Sequence, residues 1–102
     1  MRHAIRVWIT EAIFLEIGAG LSAINRSAAS AFIRRCYETA NVTVVPLDHV
    51  LLMRGLSLYE NRQDKHWSLV DCISFVVMED NKLQYAITTD HHYEQAGFRR
   101  VI

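Results

Sequence analysis

The sequence predicts an α/β fold: a mostly parallel sheet with helices on both faces, in three α/β/α layers. Three observations predict it. Short β-branched and aromatic runs alternate with longer stretches of helical period, which is the pattern of parallel strands joined by helical crossovers. Polar capping residues stand at several strand-to-helix junctions. Hydrophobic residues make up 51% of 102 positions, enough for one modest core and too many for a disordered segment.

The elements follow in order. Arg6-Val7-Trp8-Ile9 is an expected strand that feeds Thr10, a good helix N-cap, with Glu11 in the first turn favoured by the helix dipole. Ala12 to Leu21 is apolar nearly all round except for Glu16, so a buried helix is expected. Gly18, Ala19 and Gly20 would admit a close neighbour. Asn25 or Ser27 caps a second helix to about Tyr37, with Phe32-Ile33 and Cys36-Tyr37 facing in and Arg34-Arg35 facing out. Val42–Val45 is a strand ended by the only proline, Pro46, and Asp48 caps a helix to about Tyr59. After a polar loop, Ser68 starts a fourth helix, and Ser68-x-x-Asp71 has capping-box spacing. Leu83–Thr88 is an expected strand, Tyr93–Ala96 a helical turn ended by Gly97, and Phe98–Ile102 a last strand.

Eleven basic and eleven acidic residues cancel, so the global field offers no argument for a nucleic-acid partner, which would have to be held by a local patch. The two cysteines, Cys36 and Cys72, lack CxxC spacing and lie in apolar periodic stretches, where thiols are small buried hydrophobes; a cytoplasmic, reducing location is the simplest expectation. No run has the length of a membrane span, and Met1–Arg6 has no signal-peptide pattern.

Glu16, Asp71 and Asp90 stand where this fold turns side chains toward the carboxyl ends of its strands, the rim where α/β sites form. A cluster of carboxylates repels itself unless a cation sits among them. Metal-assisted chemistry on phosphate is therefore the leading idea. Each acid also has a plainer reading. Glu16 could pair with an arginine such as Arg54, Asp71 could only cap its helix, and Asp90 could be a turn former. His66, His91 and His92 invite a transition-metal reading, against which stands the tendency of adjacent histidines to diverge. Ser68 lacks a glycine elbow and reads as a cap, not a nucleophile.

Thr10-Glu11-Ala12-Ile13-Phe14-Leu15-Glu16-Ile17-Gly18, Trp67-Ser68-Leu69-Val70-Asp71-Cys72-Ile73-Ser74-Phe75 and Thr88-Thr89-Asp90-x-His92-Tyr93-Glu94-Gln95-Ala96-Gly97-Phe98, in this order, resemble the PIN-domain family. The family comprises metal-dependent ribonucleases, many of them toxins of toxin–antitoxin pairs. The resemblance spans essentially the whole chain and implies a PIN-like three-layer fold in which residues 1–102 form a single domain. It implies Glu16, Asp71 and Asp90 as catalytic and metal-binding carboxylates, Mg²⁺ or Mn²⁺ as cofactor, RNA as substrate and an antitoxin protein as partner.

Members of the family normally open with a strand carrying an aspartate, followed by a helix, and no residue before Arg6 matches it. The expectation is thus an N-terminally shortened PIN-like domain with weakened metal binding and activity. It would close the gap in its sheet by rearrangement or as a homo-oligomer, a dimer with exchanged elements. The alternative from another class is an inactive remnant that binds itself or an antitoxin. His66 before Trp67, in place of an acid, and Tyr93 in place of a phenylalanine are further departures from the family pattern.

Overall fold

Thr10 ends a strand and opens a helix at the same point. The computed structural model describes residues 5–88 and 90–101. Its elements are β1 (Val7–Thr10), α1 (Glu11–Leu21), α2 (Arg26–Glu38), β2 (Val42–Val45), α3 (His49–Asn61), α4 (Leu69–Asp80), β3 (Tyr85–Ala86), α5 (His92–Gln95) and β4 (Arg99–Arg100). They fall into two compact units, Met1–Leu47 and Asp48–Ile102.

In the first unit β1 and β2 pair in parallel, from Val7 opposite Val42 to Thr10 opposite Val45. Buried Thr10 caps α1 by accepting from the Ala12 amide at 2.9 Å, and Asn25 caps α2 by accepting from Ala28 at 3.0 Å. Glu11 does more than favour the helix dipole. Its carboxylate accepts from the Leu47 amide at 2.8 Å and from the Tyr37 hydroxyl, so the start of α1 is tied to the chain after β2 and to the end of α2. The Tyr37 hydrogen bond, then the Leu47 one, hold the Glu11 carboxyl below its ordinary 4.5.

The expected burial of α1 is corrected. Only Ala12 and Phe14 are buried, Leu15 is 68% exposed, and a Cβ on Gly18 or Gly20 would meet nothing within 4 Å. An apolar sequence buries only the faces that have neighbours, and here that face is narrow. The stripe on α2 is likewise narrower than expected: Ala29 and Cys36 are buried, while Phe32 and Tyr37 are about half exposed.

The second unit holds the well-covered helix. Every residue of α4 from Cys72 to Met78 is buried. Close approach of α3 makes this possible at Gly55, where an added Cβ would stand 2.5 Å from Ile73 Cγ1 and 3.2 Å from its Cα. On another side Trp67, Cys72, Phe75, Met78, Ala86 and Phe98 form one cluster. Phe75 is its hub, with ring centroids 5.0 Å from Trp67 and 4.9 Å from Tyr93, both edge-on, and 5.7 Å from Phe98. Arg62 lies over the Trp67 ring, 5.1 Å from its centroid, while its guanidinium pairs with Asp64.

Two helix ends aim the chain back into that cluster by the same device. After α4, Leu83 N donates to Met78 O at 2.8 Å and Lys82 N to Glu79 O at 3.2 Å, with Lys82 at φ 54°. After α5, Phe98 N donates to Tyr93 O at 3.0 Å and Gly97 N to Glu94 O at 3.1 Å, with Gly97 at φ 96°. Both are Schellman closures, and the second uses the glycine that a left-handed residue favours.

Parallel pairing is as expected, and among the described residues it forms two ladders, β1–β2 and β3–β4. β3 and β4 are also far shorter than the expected Leu83–Thr88 and Phe98–Ile102. The turn after α4 consumes residues to Leu83, and a new turn begins at Thr88, which leaves only Tyr85–Ala86 to pair with Arg99–Arg100. Ile102 and Thr89, named in the sequence patterns, lie outside the described residues.

Gly55→Ala should lower stability by about 1–3 kcal/mol, because strain against Ile73 outweighs the better helix propensity. Gly18→Ala, with open space around it, should raise stability by about 0.5–1 kcal/mol. Urea midpoints at unchanged slope read both; a neutral Gly55→Ala would show that α3 and α4 do not meet there. A depressed carboxyl contributes stability that is full above its unfolded value and fades as pH falls through its folded value. The melting-temperature deficit of Glu11→Gln should thus be constant at neutral pH and shrink as pH drops below 4.5. A deficit that persists unchanged in acid would contradict it.

Candidate metal centre

The centre is assembled from two helix starts in the second unit. At the first, the capping box anticipated for α4 is complete: the Asp71 amide donates to Ser68 Oγ and the Ser68 amide donates to Asp71 Oδ2, each at 3.0 Å. At the second, the Asp90 amide donates to Thr88 Oγ1 at 3.0 Å and Asp90 Oδ1 accepts from the His92 amide at 2.9 Å. These nested side-chain turns open α5. Asp90 lies four residues beyond the last residue of β3, Ala86, rather than two beyond a strand as expected.

Packing brings the two starts together. Phe75 follows Asp71 by one turn on the same face of α4. Its ring meets Tyr93, the neighbour of His92, nearly perpendicularly at 86°. Gln95 Oε1, at the end of α5, accepts from Trp67 Nε1 at 3.0 Å. Held this way, His92 places Nδ1 3.3 Å from Asp71 Oδ2 and 3.1 Å from Asp90 Oδ1. Both distances are short enough for an ion pair, but neither contact has hydrogen-bond alignment. Nδ1 is buried without a hydrogen-bond partner among the described residues.

The side chains of Asp71 and His92 are 16% and 20% exposed and that of Asp90 is 39% exposed, so the centre opens to solvent on the Asp90 side. His91 is more exposed, yet it has not diverged from its neighbour: its ring centroid is 4.6 Å from that of His92 and its Nδ1 3.8 Å from Asp90 Oδ1. Asp90, His91 and His92 each offer a ligand atom within 4.8 Å of the others.

The residues fit a divalent cation. One oxygen of each aspartate is held by a backbone amide, while Asp71 Oδ1 and Asp90 Oδ2 accept no hydrogen bond among the described residues. The arginines of this unit that form ion pairs, Arg54, Arg62 and Arg100, are engaged by Asp80, Asp64 and Glu94 rather than by these carboxylates. Burial, and after it the nearby Asp71 charge, push the Cys72 thiol above its ordinary 9.0, so it is an inert core group beside a negative site.

Of the three acids singled out from the sequence, Asp71 and Asp90 converge. Glu16 lies on α1 in the first unit, exposed and without a bonded partner among the described residues. Arg54, the partner considered for it, makes a two-pronged pair with Asp80 instead. His66 is exposed, and Ser68 is the cap it was expected to be. His92 is the member that sequence reasoning set aside. Its signal was position: in an Asx turn the residue two after the aspartate donates its amide back, which keeps its ring near that carboxylate. A cavity of about 360 Å³ elsewhere in this unit is lined by Leu58, Trp67, Phe75 and Phe98 and by none of the acids of the centre.

This arrangement of helices and short parallel strands is the PIN-like fold that the resemblance implied. The chain is similar to VapC20 of Mycobacterium tuberculosis, a Sarcin-Ricin loop cleaving toxin, with a TM-score of 0.81 at 21% identity, over 94% of this chain and 74% of that one. No protein-family model matches the sequence, and no curated protein matches it.

Proposed function

We propose that residues 1–102 act as one PIN-like domain, a toxin ribonuclease that hydrolyses RNA phosphodiesters with Mg²⁺ or Mn²⁺ and is restrained by an antitoxin protein. The observation that carries this reading is the meeting of Asp71 and Asp90, from two separate motifs, in a fold shared with an RNA-cleaving toxin. Glu16 is assigned as the third carboxylate of the same set. A bound divalent cation would supply charge neutralisation at the phosphate and polarise the attacking water. Asp71 and Asp90 would hold that cation with their carboxylates, whose orientation the capping box and Asx turn fix. With two of four carboxylate oxygens already bound to amides, affinity for the ion and activity should both be weak.

The test is cleavage of an RNA hairpin carrying a Sarcin-Ricin loop, with Mn²⁺ or Mg²⁺ supplied and then chelated. Asp90→Asn keeps an oxygen for the His92 amide and removes the charge, so cleavage should fall about 100-fold or more while the fold survives. Cleavage that persists in chelator, or in Asp90→Asn, would overturn the reading.

A second reading, an inactive module that associates with itself, is favoured by Tyr85, Ile87 and Val101, which are 61%, 68% and 59% exposed beside a two-stranded ladder. Such a ladder is below the size at which a sheet is stable alone, and its open edges can take strands from a second copy. Light scattering on the eluting full chain should then give twice the 11.8 kDa chain mass; a monomer that melts cooperatively would exclude this.

A further inference from the structure

We propose that His92 is itself a ligand of the cation, through Nδ1, and that this imidazole shifts the centre's preference from Mg²⁺ toward Mn²⁺ and other borderline transition ions. The inference rests on the metal reading above and adds a nitrogen to a set of carboxylates.

Distance is the first argument. Ligand atoms adjacent on an ion with bonds of about 2.0–2.2 Å stand roughly 3 Å apart, a little more when the angle opens toward tetrahedral. His92 Nδ1 lies 3.1 Å from Asp90 Oδ1 and 3.3 Å from Asp71 Oδ2, which is that spacing. A histidinium bridging two carboxylates would instead make short aligned bonds of about 2.7–2.9 Å. Here the contacts are longer and off-axis, so direct charge-assisted hydrogen bonding does not account for them.

Burial is the second. His92 Nδ1 is a buried polar atom without a hydrogen-bond partner among the described residues, a condition that native structures seldom leave without a ligand, ion or water. The atom faces the two carboxylates rather than the apolar cluster, so a cation placed between them would satisfy nitrogen and oxygens together.

Preorganisation is the third. The His92 amide is bonded to Asp90 Oδ1, and the adjacent Tyr93 is packed edge-on against Phe75, so the ring needs little rearrangement to bind. His91 belongs to the same group, but its side chain is 68% exposed and its Nδ1 lies 3.8 Å from Asp90 Oδ1, farther out than that of His92. Mg²⁺ prefers oxygen ligands and retained waters, whereas imidazole suits transition ions, whose affinity for mixed nitrogen and oxygen sites is higher.

Pulsed electron paramagnetic resonance on the full chain loaded with Mn²⁺ reads the ligand directly. The expected result is ¹⁴N modulation from a coordinated imidazole, replaced by the ¹⁵N pattern when the wild-type chain carries ¹⁵N-histidine; this measurement needs no variant. His92→Leu should abolish the modulation, and His91→Leu should retain it. In competition titrations Mn²⁺ should bind at least about 10-fold tighter than Mg²⁺, and His92→Leu should narrow that advantage. Bound Mn²⁺ without nitrogen modulation, modulation lost only in His91→Leu, or no bound Mn²⁺ would each overturn the proposal. The first two of those outcomes leave the carboxylate-bound ion and the nuclease reading standing. Clear nitrogen coordination without RNA cleavage would instead remove the nuclease reading alone.

Discussion

The Asp71 carboxylate serves folding and the candidate chemistry at once. One of its oxygens closes the capping box with the Ser68 amide and so defines where α4 begins. The same oxygen lies against His92 Nδ1, and the remaining one accepts no hydrogen bond among the described residues. α4 is the most deeply buried helix of its unit, so its starting point sets the register of Cys72, Phe75 and Met78 in the aromatic cluster. The position of the centre is therefore a consequence of how the core is packed. A shift of α4 by one residue would turn both Asp71 and Phe75 away from α5 by about 100°.

That coupling explains why so short an element as α5 can hold His92 beside Asp71 and Asp90. Four residues cannot sustain a helix on their own. α5 persists because each end is fixed from outside: Asp90 and Thr88 organise its entry, Gly97 and the Phe98–Tyr93 hydrogen bond its exit, and Phe75 its underside. Trp67, held by Gln95 and covered by Arg62, adds a lateral constraint. The imidazole of His92 thus gains its orientation from core packing and not from helix length.

The sequence made local devices legible and left neighbour-dependent ones obscure. Thr10, Asp48 and Ser68 each cap the helix they were expected to cap, and Asn25, one of two candidates, caps α2, because a capping bond closes within three residues and depends on little else. Burial was harder to read. The α1 segment is as apolar as α4, yet its Leu15 is exposed while α4 is covered, since coverage is decided by what packs alongside. The close helix approach was expected at Gly18 to Gly20 and occurs at Gly55. Nothing in the local pattern around Gly55 distinguishes it; only the facing Ile73 does. Strand lengths were overread for a similar reason, because a β-favouring run forms ladder only where a partner backbone runs beside it.

The centre shows the same division. Asp71 and Asp90 were readable as a pair because each sits in a recognisable turn or cap. His92 was not, because its contact with Asp71 joins helix starts far apart in sequence. On an extended or regular helical backbone neighbouring rings point apart. The Asx turn is neither. By folding the His92 amide onto Asp90 it brings both rings to the same side, their centroids 4.6 Å apart. A motif rule built on regular backbone will overlook donors gathered by a turn, and an aspartate followed by two histidines at the mouth of a short helix is a pattern in which the turn itself does the gathering.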